Sequence, residues 1–138
     1  MVRHSRARRS DCPIGFTLDI FGDRWSLLIL RDVLTRAKSR FREFAAEERI
    51  ATNVLAERLE RLEGAGLLTR ANDPSDARQF VYRPTRAAID LLPVVVEMAY
   101  WGAMHDPETG APREFVEAYE ADRQALLAGM RAALTAGS

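Results

Sequence analysis

The 138-residue sequence predicts a mainly α-helical fold with one small β-hairpin. Apolar residues recur every three or four positions over several segments, which is typical of helices. They alternate with polar residues on both sides of the turn-rich string NDPSDAR at 72–78, which is typical of a hairpin. Glycine and proline fall between these segments, and the chain length suits one hydrophobic core with decorated ends.

Two helices are predicted in the first 40 residues. Pro13 suits the first turn of a short helix that Gly22 ends. Asp23 is a suitable cap for a second helix, from Arg24 to about Leu34, in which apolar residues cover a wide arc of the surface. We therefore expect this second helix to be central to the core.

The next two helices are predicted at 41–48 and 52–63, with Ser39 and Thr52 as their N-terminal caps. In the longer one, three leucines at i, i+4 and i+7 form one narrow buried stripe: Leu55, Leu59 and Leu62. Such a helix touches the core along one line and leaves most of its circumference free.

Two strands, 67–71 and 79–84, are predicted to form a hairpin with a charged tip. Helical periodicity returns at 86–104, where Pro93 predicts a kink or an irregularity, and a last helix is predicted at 113–133. A short helix, a turn, a helix with a narrow apolar stripe and then a hairpin is the order of a winged helix-turn-helix domain.

Charge is distributed unevenly along a chain whose formal net charge is zero. Residues 1–90 hold 17 Lys and Arg against 13 Asp and Glu, whereas residues 91–138 hold 3 against 7. One part could thus face phosphates and the other a partner subunit. The alternative interpretation is ordinary solvated charge.

The helix at 52–63 is the candidate recognition helix, because the major groove of DNA admits one α-helix. Asn53 can pair with adenine, Glu57 can accept from the exocyclic amine of cytosine, and arginines can reach guanine or phosphate. The alternative is that these charged side chains form only helix-surface ion pairs. The predicted base-reading residues are Thr52, Asn53, Glu57, Arg58 and Arg61.

Arg78 lies at the predicted hairpin tip beside Asp73 and Asp76. A wing could extend its guanidinium into the minor groove while an aspartate orients it, and the alternative is a solvated turn. Four further cations are candidate phosphate contacts, whose loss would weaken binding to all sequences alike: Lys38, Arg40, Arg42 and Arg49.

Five blocks of this sequence resemble, in order, those of the HxlR family of regulators: CPIGFTLDIFGDRWSLLILRDVL, RFREF, NVLAERLERLEGAGLL, VYRPT and LLPVVVEMAYWG. The wing string DPSDAR is more similar to that of the MarR family. Pro84 and Ala88 stand where HxlR relatives usually have Leu and a nearby Gly. The resemblance covers about residues 12–102 and implies a homodimeric winged helix regulator of transcription, usually a repressor, whose terminal helices build the dimer interface.

We accordingly expect three regions: a basic N-terminal arm (1–11), a winged helix-turn-helix DNA-binding domain (12–104) and a C-terminal helical dimerisation extension (105–138). As a dimer, the protein would bind double-stranded DNA at a palindromic operator whose half-sites lie about one helical turn apart.

Cys12 is the single cysteine, so no disulfide can form within the chain and a reducing compartment is expected. It occupies a position where some proteins similar to this one carry a thiol that senses electrophiles or oxidants. Arg8, Arg9 and the following helix N-terminus favour a thiolate there. The alternative is an incidental cysteine.

Other classes of function find little support. His4 and His105 are isolated, the carboxylates follow helix surfaces, and no glycine-rich phosphate loop is present, so no enzyme, metal site or cofactor is predicted. With no secretory signal and no uninterrupted apolar stretch of membrane-spanning length, a cytoplasmic location is expected.

Two alternatives stay open. Trp25, Tyr100 and Trp101 could line a cavity for a small-molecule effector, although aromatic residues at helical spacing usually form core. The rival for the whole chain is a winged helix module that binds proteins instead of DNA. The glutamates of the recognition helix fit that rival, whereas Asn53 and the arginines do not.

Overall fold

The computed structural model describes Val2 and residues 10–136, which divide into two compact units between Ala88 and Ile89. Most of the predicted basic arm lies outside the described residues. The functional boundaries expected after residues 11 and 104 stay predictions. The elements in chain order are α1 (Pro13–Phe21), α2 (Ser26–Thr35), a 3-10 turn (Phe41–Glu43), α3 (Thr52–Gly64), β1 (Leu68–Asp73), β2 (Asp76–Pro84), α4 (Arg86–Ile89), α5 (Leu92–His105), α6 (Arg113–Ala121) and α7 (Arg123–Ala136).

Gly22 ends α1 as predicted, but α2 begins at Ser26 instead of Arg24, and Trp25 instead of Asp23 takes the N-cap position. The N–H of Gly22 donates to the carbonyl of Leu18, and a Cβ at Gly22 would lie only 2.4 Å from that oxygen. Asp23 still binds the start of α2 from outside the cap position, since its Oδ2 accepts from the N–H groups of Trp25 and Ser26, at 3.0 and 3.1 Å. The Ser26 hydroxyl donates to Oδ1 at 2.6 Å. The carboxylate is therefore held in one orientation.

The third predicted helix, 41–48, is wrong in length, because only the 3-10 turn forms and turns continue to Arg49. Asp32 of α2 captures the N–H of Ala45 at 2.7 Å, and Ala45 adopts φ 49°, which a helix cannot continue through. The predicted cap, Ser39, is also wrong. Arg40 takes that position, while the Ser39 carbonyl accepts from the N–H of Tyr82 at 2.7 Å.

The leucine stripe of α3 is confirmed, because Leu55, Leu59 and Leu62 are buried. The predicted cap at Thr52 is wrong, since Ala51 precedes the helix and no side chain caps it. Thr52 instead belongs to the first turn, with an exposed side chain.

β1 and β2 pair antiparallel from Leu68 opposite Pro84 to Asn72 opposite Phe80. The register then shifts, Asp73 pairs with Asp76, and residues 77–79 bulge from the ladder. Both strands run closer to the tip than predicted, because pairing resumes beyond the bulge. A bridge between Arg40 and Val81 fixes the hairpin to the segment before the 3-10 turn.

Each of the two predicted C-terminal helices is divided in two. The irregularity predicted at Pro93 is present, because α4 ends at Ile89 and Pro93 stands in the first turn of α5, where its ring is accommodated. The helix predicted at 113–133 breaks at Asp122, where φ is −164°. The Asp122 carboxylate then accepts from the N–H of Ala125 at 3.1 Å, capping α7.

Polar contacts join the helices of the second unit. The rings of Tyr100 and Tyr119 stack with centroids 3.8 Å apart. Tyr119 donates to Glu97 at 2.6 Å and Arg123 donates to the same carboxylate at 2.9 Å. Glu97 of α5 thus holds both α6 and α7.

The segment Arg86–His105 is long and apolar enough to cross a membrane by length and composition alone, with a mean hydropathy of 1.4 and 22% of its most apolar window buried. It is not one helix, since α4 ends at Ile89 and α5 has 14 residues. At 1.5 Å per residue, α5 spans roughly 21 Å, against about 30 Å of hydrocarbon. Four of its large apolar residues are exposed: Val94, Met98, Trp101 and Met104.

Candidate nucleic-acid interface

The outer face of α3 offers polar side chains to solvent. Asn53, Glu57 and Glu60 are exposed opposite the buried leucine stripe, and Thr52 is exposed in the first turn of the helix. Two of the predicted base-reading residues, Asn53 and Glu57, thus share one accessible helix face, and Thr52 is accessible at the start of the helix, so amide, carboxylate and hydroxyl groups can bond to base edges.

The two other predicted base-reading residues contact carboxylates of this chain. Arg58 donates from Nε to Asp23 Oδ2 at 2.8 Å and also pairs with Glu57. Arg61 lies 3.5 Å from Asp23 Oδ1 and donates to Glu57 Oε1 at 2.9 Å. These four residues, Asp23, Glu57, Arg58 and Arg61, are called the Asp23 cluster below.

Asp23 is strongly stabilised in its ionised form. Burial alone would raise its pKa, but hydrogen bonds from the Ser26 hydroxyl, from Arg58 and from two backbone N–H groups outweigh burial and lower the pKa to about 2. The pKa of Glu57 is also lowered, because hydrogen bonds from Arg58 and Arg61 outweigh its own desolvation. The pKa of Arg58 is raised, chiefly by its hydrogen bond to Asp23, so Asp23, Glu57 and Arg58 are all charged at neutral pH.

We expect Asp23 to contribute to acid stability. Because folding lowers its pKa from 3.8 to about 2, the carboxylate stabilises the fold fully above about pH 4 and loses that contribution as the pH falls toward 2. The difference corresponds to about 2 kcal/mol. Urea unfolding at pH 5 and pH 2 should show a smaller loss for Asp23→Asn than for wild type. The same loss in both would contradict this, and Asp90→Asn, an exposed ion-pair change, is the control.

A groove of about 650 Å³ lies between the 3-10 turn and the hairpin. It brings together three predicted DNA contacts, Arg40, Arg42 and Arg78. A second depression of about 420 Å³ adjoins it, sharing Arg42 and adding Arg49 and Thr52. The fold thus collects four cations, separated by as many as 38 positions in sequence, beside the start of α3.

These cations differ in their freedom to meet a phosphate. Arg40 pairs with buried Asp73 and fixes the hairpin. Arg42 and Arg49 are exposed, and neither has a carboxylate partner among residues 10–136. Lys38 is half-buried, and its N–H donates to the carbonyl of Asp32 at 3.1 Å. Arg42 and Arg49 are thus the most available.

Arg78 projects from the bulge near the hairpin tip, with 91% of its side chain exposed. Its Nε donates to Asp76 Oδ1 at 3.2 Å. Asp73 instead forms the turn, accepting from the N–H and hydroxyl of Ser75. Of the two aspartates considered from sequence, Asp76 is therefore the one that orients the guanidinium.

Sequence reasoning missed Gln79 and Phe80, which also line the larger groove. The Gln79 amide lies 3.2 Å from Asp76 and its oxygen 3.4 Å from Arg40, while Arg70 stacks on the Phe80 ring at 4.3 Å. The available signal was strand alternation, but the bulge changes which residues share a face.

Arg49 is held with φ 57° and Ala37 with φ 53°, a left-handed conformation that favours glycine. We expect Arg49→Gly and Ala37→Gly each to raise the free energy of unfolding by about 1 kcal/mol. Only Arg49→Gly should also weaken DNA binding and flatten its salt dependence by about one unit of slope. Chemical denaturation and DNA titration measure the two effects. If Arg49→Gly and Ala37→Gly bound DNA equally well, Arg49 would not be a DNA contact.

Cys12 is exposed immediately before α1. Its N–H donates to the Ser10 hydroxyl at 3.2 Å, and its carbonyl accepts from the N–H of Phe16 at 3.0 Å. Arg8 and Arg9, expected to favour a thiolate, lie outside the described residues. Over residue 2 and residues 10–136, no three His, Cys, Asp or Glu side chains group in a way that could hold a metal ion.

The profile of the HxlR-like helix-turn-helix family matches residues 20–109. An uncharacterized HTH-type transcriptional regulator of Mycobacterium tuberculosis, Rv3095, is 34% identical over 72% of this chain, and the match spans 62% of that protein's length. This chain therefore covers less than two thirds of that relative.

Two solved structures extend the likeness to three dimensions. The crystal structure of PA1607, described as a transcription factor, has a TM-score of 0.68 and 33% identity, covering 76% of this chain and 74% of that one. The redox regulator HypR in its oxidised form has a TM-score of 0.61 and 29% identity, covering 68% and 97%.

The predicted winged helix fold is confirmed by the two-stranded hairpin after α3 and by these neighbours. The family consists of transcription regulators, which are not enzymes. This chain belongs to the HxlR-like helix-turn-helix family.

Proposed function

We propose that this protein is a sequence-specific DNA-binding repressor that acts in the cytoplasm as a homodimer on a palindromic operator. The observation that carries the proposal is the polar outer face of α3 beside a groove lined by Arg40, Arg42 and Arg78. In this arrangement α3 enters the major groove and the cations contact phosphates on either side of it.

We assign base reading first to Thr52, Asn53 and Glu57, because their side chains are exposed. Arg42 and Arg49 contact phosphates, supported by Lys38 and Arg40, and Arg78 enters the minor groove from the wing. Arg58 and Arg61 are the two arginines of α3, and both are engaged by Asp23 and Glu57.

Homodimerisation is proposed from α5. Four apolar side chains within one arc of this helix are exposed in the single chain: Val94, Met98, Trp101 and Met104. A monomer would leave this stripe in water, whereas a second copy of the chain would cover it. Two recognition helices would then enter successive major grooves about one turn of DNA apart.

The test of DNA recognition is fluorescence anisotropy with the protein's own upstream intergenic DNA and a scrambled duplex, over a series of salt concentrations. We expect preference for the upstream duplex, with affinity that falls steeply as salt rises. No binding of either duplex at low salt would support the rival, a winged helix module that binds proteins. Tight binding of one half-site by a monomer would contradict the dimeric mode.

A second component of the proposal is oxidant sensing by Cys12, which is favoured by its exposure before α1 and by the likeness to a redox regulator. Oxidation joins the Cys12 sulfur to a second thiol, from another subunit or a small thiol, and releases two electrons and two protons to the oxidant. Diamide should then release DNA from wild type. Equal release from Cys12→Ser would overturn the sensor role.

A small-molecule effector is the alternative signal, and the aromatic residues of α5 are its candidate contacts. Trp101 is 66% exposed and Tyr100 is half-buried against Tyr119, so neither encloses a cavity within the second unit. The half-buried Trp25 lies in the first unit, with Arg24 over its ring at 5.2 Å. Oxidant sensing therefore has the more specific support.

A further inference from the structure

Two arginines of α3, Arg58 and Arg61, lie beside the proposed DNA-reading face and pair with carboxylates. Only 21% of the Arg58 side chain and 26% of the Arg61 side chain are exposed. The two guanidinium groups face two carboxylates, so the charges of the Asp23 cluster cancel. A recognition helix that carries two arginines therefore adds little positive charge at this place.

The two carboxylates of the cluster have different freedom. Glu57 belongs to α3 itself and is half exposed, so it can turn toward DNA. Asp23 lies before α2, and its oxygens also accept from two backbone N–H groups and the Ser26 hydroxyl. Because those bonds fix Asp23, it is a permanent acceptor that competes with a phosphate for Arg58 and Arg61.

An arginine that reaches a phosphate strengthens binding to every DNA sequence, because each such contact releases a counterion. An arginine that stays on Asp23 adds no such contact. The ratio between operator binding and non-specific binding is then set by the exposed polar groups of α3, which bond to base edges.

We infer that Asp23 is a specificity-determining positioning residue, which keeps Arg58 and Arg61 off the DNA backbone so that sequence-independent binding stays weak. This inference rests on the proposed DNA-binding function. The opposite role, in which Asp23 aims the arginines at DNA, predicts the opposite change in salt dependence and is an outcome of the test.

The test compares wild type with Asp23→Asn, which keeps an oxygen that can cap α2 and removes the charge. Anisotropy titrations use the upstream duplex and a scrambled duplex over a salt series. We expect affinity for the scrambled duplex to rise by about 3- to 10-fold at low salt and the salt slope to steepen by about one to two units, one for each released arginine. Preference for the upstream duplex should fall.

Asp90→Asn is the matched control, because it makes the same change of charge at an ion pair of the second unit, with Arg131. Its salt slope should equal that of wild type. If part of the Asp23→Asn protein were unfolded, the amount of active protein would fall but the salt slope would not steepen. The slope therefore distinguishes newly freed arginines from a loss of stability.

A second variant, Arg58→Gln, decides the matter if Asp23→Asn does not fold. We expect it to leave the salt slope unchanged, since Arg58 makes no phosphate contact, and a loss of about one unit would overturn the inference. An unchanged or shallower slope for folded Asp23→Asn would also overturn it. Either slope result would leave the proposed function standing as long as wild type prefers the upstream duplex. If neither protein binds either duplex, both are overturned.

Discussion

Replacing Asp32 with alanine should lower the free energy of unfolding by about 3 to 5 kcal/mol, the range for breaking a buried charged network by removing one partner. The Asp32 side chain is 0% exposed. It accepts from the N–H of Ala45 at 2.7 Å and from Arg31 Nε at 3.0 Å. Alanine would leave that buried N–H without its acceptor and release the backbone at Ala45.

Asp32→Ala should also weaken DNA binding, because Ala45 lies in the turns that join α2 to the proposed recognition helix α3. Asp32→Asn keeps one acceptor oxygen and should lose less stability than Asp32→Ala. Glu47→Ala, which removes a 70% exposed carboxylate next to Arg36, is the control and should change stability by less than about 1 kcal/mol. Urea denaturation measures all three. Equal stability of Asp32→Ala and wild type would refute the role given to Asp32.

The replacement Trp101→Glu should convert the protein to a monomer at concentrations where wild type is dimeric. Trp101 lies in the middle of the exposed stripe on α5, and in a dimer its replacement would bury a charge without a partner. We expect the dimer dissociation constant to rise at least about 100-fold, the effect of losing one central aromatic contact. Operator affinity should fall with it, since only one α3 would then be presented.

Sedimentation equilibrium measures this association directly. Ala99→Glu places the same charge at an exposed position of α5 outside the stripe and should leave the dimer intact. If Trp101→Glu and wild type had the same sedimentation behaviour, the stripe would not be the dimer interface. If Ala99→Glu also dissociated, the effect would belong to charge and not to the stripe.

Much of the first unit could be predicted because its determinants are local. The spacing of Leu55, Leu59 and Leu62 defines the buried side of α3 within two helical turns. Gly22 and Asp23 end one helix and begin the next through contacts at most four residues away. The hairpin was recognisable from alternating strands around a turn, although its bulge was not.

What sequence reasoning missed depends on contacts between distant residues. The helix expected at 41–48 is cut short by Asp32, 13 positions before Ala45. Arg58 was assigned to DNA from its place on α3, but its partner Asp23 lies 35 positions away. No local sequence pattern indicates the Asp32–Ala45 contact or the Asp23–Arg58 contact, because both depend on tertiary packing.

The reading face of α3 is tested most directly by Asn53→Ala, titrated by anisotropy against the upstream duplex and the scrambled duplex at one salt concentration. Asn53 is exposed, so its loss should leave the fold intact. We expect affinity for the upstream duplex to fall by about 10- to 100-fold, the range for one lost bidentate base contact, and affinity for the scrambled duplex to stay the same. Equal affinities of Asn53→Ala and wild type for both duplexes would contradict base reading by this face.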